Sequence, residues 1–293
     1  MRKIKKWITA ALSTVMLLAM PLTSQAFTYY IGPVKYTDMT DEQYNAIYNT
    51  LKSMAEDGNQ GNKEFRSTGV VCNTFEEAKA IMDTFSYVFP SRNAFGLVWN
   101  EWGSNRIILD HYDLSEGTYD FTYYSNTGRR NEIWAIWAPG VDTKAIISES
   151  EQAMAEIEKI AESAPENTRE KLRYYYDTIK KRSTYDSEGI QNGYYIVSSY
   201  DTLIKEKSVC GGFAKTFMLL CKRAGIPCGI VCERYPEKGK DHAYNIVYLD
   251  NRWLKVDATA AIEYGNDNDH FLEEMSSNMQ EYCNQPYVYG IQQ

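Results

Sequence analysis

Closely spaced CxxC pairs are missing from this chain, and histidine is scarce, with 3 in 293 residues. The 6 cysteines stand at 72, 210, 221, 228, 232 and 283, and none has a histidine at zinc-ligand spacing. That pattern argues against a structural zinc site. Glu263, Asp267 and Asp269 form an acidic run without the alternating ligands and terminal glutamate of a calcium loop, so they are expected to be solvated carboxylates. No metal and no cofactor is expected. An excess of basic residues is also absent: 31 Lys+Arg stand against 39 Asp+Glu. Nucleic acid and anionic membrane are therefore disfavoured as partners. Repeats and low-complexity stretches are lacking as well.

The one long apolar stretch lies at the beginning. Arg2, Lys3, Lys5 and Lys6 precede a mostly apolar segment from Ile8 to Leu22, and Ser24-Gln25-Ala26 follows with small residues at the two positions a signal peptidase reads. The expectation is a signal peptide over residues 1–26, cleaved after Ala26, and a secreted protein that is membrane-free once cleaved. A spanning helix needs about 20 apolar residues, which this segment does not supply.

Residues 27–293 then suggest one large or two modest domains. Capping boxes at Thr40–Gln43 and Thr74–Glu77 predict helices carrying Tyr44, Ile47, Leu51 and Met54, and Ala78, Ile81, Met82 and Phe85. Strand-like runs follow at Phe95–Asn100, Arg106–Leu109, Tyr119–Tyr124 and Glu132–Ala138. Residues 27–145 are expected to form a small α+β domain. Its tryptophans, Trp99, Trp102, Trp134 and Trp137, suit either a core or a carbohydrate or peptide platform. Residues 146–293 are expected to form a helical connector and a second, C-terminal core. Ser148-x-x-Glu151 predicts the start of a long helix, Asn167 the start of another, and Ser183–Ser199 reads as a loop.

Three segments carry the chemistry. Cys210-Gly211-Gly212-Phe213-Ala214 opens a helix whose apolar face holds Phe213, Phe217 and Leu220, punctuated by Gly225 and Pro227. A cysteine at a helix N-terminus meets the positive dipole end, which favours thiolate. Asp241–Leu249 and Arg252–Thr259 alternate like strands, with Asp250-Asn251 as a two-residue hairpin turn. That turn places Tyr244 opposite Asp257 and His242 opposite Thr259. His242 and Asp257 are then diagonal neighbours on one face, about 7–8 Å apart at Cα. A carboxylate there fixes the imidazole tautomer and leaves the other nitrogen for a sulfur. Cys228 and Cys232 fall on one strand, about 13 Å apart and too far to bridge, so Cys221, Cys228 and Cys232 are expected as buried thiols.

Cys-x-Gly-aromatic-Ala, Gly-Ile-Pro, His-Ala-aromatic-Asn-x-Val and Trp-x-x-Val-Asp-Ala-Thr, in that order, resemble the transglutaminase-like core of the papain-type thiol superfamily. The likeness runs from about Ala164 to Asn278. Phe213 and Tyr244 depart from the usual Tyr or Trp and the usual Trp, and keep an aromatic surface. The resemblance implies an α+β fold in which a nucleophile helix packs on an antiparallel sheet. It implies Cys210 as nucleophile, His242 as base and Asp257 as orienting carboxylate. The backbone amide of Cys210 would be one oxyanion donor, with Tyr200 and Gln191 as weak candidates for a second. The expected activity is acyl transfer on amide bonds of protein or cell-wall peptide substrates, as a peptidase, amidase or transamidase. The competing expectation is a non-catalytic extracellular module on the same fold that binds wall glycan or peptide.

Overall fold

The computed structural model describes residues 29–58, 65–100, 107–110, 131–188, 197–235, 240–263 and 270–285. The expected signal segment over residues 1–26, Trp102, His111, the run Tyr119–Tyr124, Gln191, Asp267 and Asp269 lie outside them. The fold is α+β: helices surround antiparallel sheets.

That sheet has five strands, in the order β1 (Tyr29–Lys35), β8 (Cys228–Tyr235), β9 (Lys240–Leu249), β10 (Arg252–Val256) and β11 (Phe271–Glu274), every pair antiparallel. A second sheet runs β2 (Arg66–Val71), β5 (Glu132–Trp137), β3 (Phe95–Asn100) and β4 (Ile107–Asp110). Residue 145, where the expected division stands, lies in the first turn of α3 (Thr143–Glu162). β1 crosses it in sequence, pairing with β8 from Tyr29↔Arg234 to Lys35↔Gly229.

The helix starts follow their capping residues. Thr40 caps α1 (Asp41–Glu56), with Thr40 Oγ1 accepting from the Gln43 N–H, and Thr74 caps α2 (Phe75–Val88) through the Glu77 N–H. Asn167 caps α4 (Thr168–Arg182). α3 begins earlier than the Ser148 box implied, because Asp142 accepts the Ala145 N–H and starts the helix first. Ser183–Ser199 is not loop throughout: Thr184–Tyr185 forms β6, parallel to β7 (Lys207–Ser208), and Ser198 caps the short α5 (Ser199–Leu203). A polar, two-residue strand has too few apolar positions to show a period.

The helix α6 (Cys210–Arg223) occupies the centre, and every residue from Gly212 to Cys221 is buried. A helix apolar all round needs partners on all sides. One side meets Cys228, Ile230, Val247, Leu254 and Val256 of the large sheet, in a single core that also takes in Leu172, Tyr175 and Tyr176 of α4 and Phe85 of α2. Trp99 and Trp137 are fully buried in that core. The opposite face of the sheet packs Val231, Tyr244, Ile246 and Trp253 against Cys283 of α8 (Ser277–Asn284).

Candidate active site

Cys210 is the first residue of α6, with Val209 in extended conformation before it. Its two following glycines are there for close packing. A Cβ on Gly211 would run into Val197 Cγ1, and one on Gly212 would run into Ser208 Oγ and come within 3.1 Å of Ser198 O. The chain before the nucleophile thus presses directly on the start of α6. Asp186 reinforces the approach, donating its N–H to Ser208 O at 2.8 Å.

The hairpin holds the second part of the site. The β9–β10 register is Arg252↔Leu249 through Val256↔Asn245, and Asp250 and Asn251 both have positive φ, at 53° and 62°. Those dihedrals belong to a two-residue turn of type I′, whose twist matches the strands. Past Val256 the strand stops. Ala258–Glu263 forms the short helix α7, so Thr259 is buried in a helix and does not lie opposite His242. Asp257 causes the change: its Oδ1 accepts the Ala260 N–H at 3.3 Å, as a helix-capping carboxylate does. Its own N–H donates to His270 O at 2.8 Å.

His242 Nε2 lies 2.7 Å from Asp257 Oδ2, in a site where the Asp257 side chain is 5% exposed and the His242 side chain 28%. With Nε2 committed to Asp257, Cys210 acts on the same imidazole as a second neighbour that raises its pKa. Burial alone would lower the imidazole's pKa. The bonds to Asp257 and Cys210 outweigh it and carry the value up to about 10. For Asp257 burial pushes up, while His242, Lys255 and the Ala260 N–H pull down more strongly, leaving it below the usual carboxylate range. The structure thus joins His242 to Asp257, with Cys210 at the start of α6 acting on the same imidazole.

Asn245, quoted above only as part of a motif, proves to be structural: Nδ2 donates to Ala214 O at 2.9 Å and to Gly229 O at 3.3 Å, tying α6 to the sheet. Tyr200 donates its N–H to Pro90 O at 3.1 Å, and its ring lies 5.3 Å from Lys205 Nζ. All 6 cysteines are free thiols. Among the described residues no group of three or more His, Cys, Asp or Glu is arranged to hold a metal, and no helix is long and apolar enough to cross a membrane.

Residues 156–258 match the model of the transglutaminase-like superfamily. That stretch is thus similar to transglutaminase-like domains, and Cys210, His242 and Asp257 all lie inside the match. The match starts before the likeness seen in the sequence and ends just past Asp257. Among solved structures the chain is similar to a TGase at 18% identity, covering 53% of this chain and 47% of that one, with a TM-score of 0.34. It is similar to a protein of Cytophaga hutchinsonii provisionally assigned as a cysteine protease, at 24% identity over 42% of this chain and 40% of that one, TM-score 0.30. A third is the periplasmic domain of TgpA from Pseudomonas aeruginosa bound to ethylmercury, at 13% identity over 47% of this chain and 60% of that one, TM-score 0.29. The chain thus spans about half the length of the structures it matches. No curated protein matches it significantly.

Proposed function

We propose that the transglutaminase-like domain is a thiol acyltransferase or hydrolase acting on amide bonds of protein or cell-wall peptides. The observation that carries this reading is the convergence of His242 on both Asp257 and Cys210. The Cys210 sulfur attacks the amide carbon, forming a C–S bond as the carbonyl π electrons move to oxygen. His242, protonated and steadied by Asp257, gives its proton to the leaving nitrogen as the C–N bond breaks, and an amine departs. The thioester then passes its acyl group to water or to a second amine, whose proton returns to His242. The Cys210 N–H serves as one oxyanion donor, since amides in the first turn of a helix have no intrahelical acceptor.

The apolar segment before Ser24-Gln25-Ala26 supports export and action outside the cytoplasm. The burial of Trp99 and Trp137 removes two of the four tryptophans from a binding platform and favours the enzyme over the binding module. Mass spectrometry of protein incubated with a lysate and with a cell-wall peptide digest tests the reading. An acyl adduct on Cys210, released by hydroxylamine and missing from Cys210→Ala, is expected. Failure to find any adduct on Cys210 with either mixture would count against acyl transfer. Adding an alkylamine separates the two acceptors, since a transamidase converts it to product.

A further inference from the structure

Asp257 meets a second cation besides His242. Lys255 Nζ lies 3.7 Å from Asp257 Oδ2, the oxygen that His242 Nε2 approaches at 2.7 Å. Lys255 lies on β10 and Asp257 just past its end at Val256. The Lys255 ammonium also stands 4.2 Å from the centroid of the Tyr244 ring, and that ring lies 6.2 Å from the His242 ring. A lysine on an ordinary solvated face holds no fixed place. Lys255 has only 25% of its side chain exposed and is fixed between a carboxylate and an aromatic face, which is a cation–π geometry.

The charged and titratable groups around this ammonium come from several strands. Asp257 follows just past the end of its own strand, and His242 and Tyr244 lie on β9. Glu273 is its cross-strand neighbour on β11 and binds His270 Nδ1 at 2.9 Å, while Glu233 stands opposite His242 on β8. Coulomb interaction falls with distance, so the effect of Lys255 falls first on Asp257 and next on His242.

We propose that Lys255 is a positioning residue of the Cys210–His242–Asp257 site, whose ammonium keeps Asp257 ionised and limits how firmly His242 holds its proton. The proposal rests on the catalytic reading above. Its sign is simple: a nearby positive charge disfavours proton binding, so neutralising Lys255 lets both Asp257 and His242 keep their protons to higher pH. The acid limb follows Asp257 and the alkaline limb follows His242, so the whole pH profile of the site moves in the alkaline direction. A partly exposed unit charge at these distances shifts each limb by about half to one pH unit.

The test is the rate of Cys210 alkylation by iodoacetate, an anion that the His242 imidazolium attracts so that the rate falls as His242 deprotonates, followed by mass spectrometry across pH, in wild type, Lys255→Met, Lys255→Gln and Lys255→Arg. Both neutral variants are expected to shift the profile alkaline by at least half a unit, with Arg restoring the wild-type limbs. Lys255→Gln, closer in length and polarity, carries the comparison where Lys255→Met does not fold by circular dichroism. A lower rate with unmoved limbs overturns the proposal and leaves Lys255 a structural residue. Preference for Cys210 that His242→Ala abolishes, together with unmoved limbs in the Lys255 variants, rejects Lys255 alone. Absence of any wild-type preference for Cys210 rejects the catalytic reading, and the role of Lys255 falls with it.

Discussion

At the scale of single residues, protonation at His242 and at Lys215 pulls stability in opposite directions. The imidazole is held at about 10 in the folded protein against 6.5 ordinarily. A raised folded value adds stability that is fully present below the unfolded value and is lost as pH rises through the folded one. The His242 contribution is therefore whole below about pH 6.5 and gone above about pH 10. Lys215 behaves in the reverse sense. It is buried on α6, with Nζ 3.3 Å from Asn93 Oδ1 and 6.0 Å from the Tyr87 ring, and burial pulls its pKa from 10.5 to about 7 against the opposing charge of Asp201. Its penalty is full below about pH 7 and fades toward pH 10.5. Melting temperatures across this range check both signs. The advantage of wild type over His242→Ala should shrink from pH 6.5 to 10, and any deficit relative to Lys215→Met should shrink from pH 7 to 10.5. Two flat difference curves would contradict the assignment. The His242–Asp257 pair was legible at this scale because a two-residue turn fixes register and hence the face of every residue. Lys255 was not, because an exposed-looking lysine on a strand carries no pattern until its neighbours are in place.

At the scale of elements, α6 is the part whose sequence and packing agree most closely. Its start is set by the close approach of Ser198 and Ser208 to Gly212, and Gly225, at φ 68°, follows its end. Gly212→Ala should cost about 1–3 kcal/mol, since the added methyl overpacks a site closed by backbone as well as by a serine side chain. Urea unfolding measures it, and an unchanged midpoint would mean that the segment before the nucleophile yields easily. Helices with a polar cap and an apolar stripe were readable, as α1, α2 and α4 show. The start of α3 was misplaced because two capping residues, Asp142 and Ser148, precede the same apolar face. β10 stops at Val256 where alternation implied a longer strand, because Asp257 uses its second oxygen to start α7. A carboxylate that serves a histidine and a helix at once has two competing local signals, and periodicity shows only one.

At the scale of the whole molecule, long-range pairing was the part that no local pattern revealed. β1 precedes β8 by roughly two thirds of the chain yet completes the edge of the sheet that carries His242, with Tyr30 opposite Glu233 and Glu233 opposite His242. Only the assembled fold shows that the N-terminal residues border the site. The central claim is that this assembly makes one thiol out of six nucleophilic. Burial pushes the thiols of Cys72 and Cys283 up to about 12, and that of Cys221 well above the ordinary cysteine value. Cys210, at the first turn of α6, is the thiol that acts on the imidazole Asp257 holds. Iodoacetamide labelling of the native protein, resolved cysteine by cysteine, tests this directly. The account predicts that Cys210 is modified first and that His242→Ala removes the preference, whereas equal, slow labelling of all 6 cysteines would contradict it.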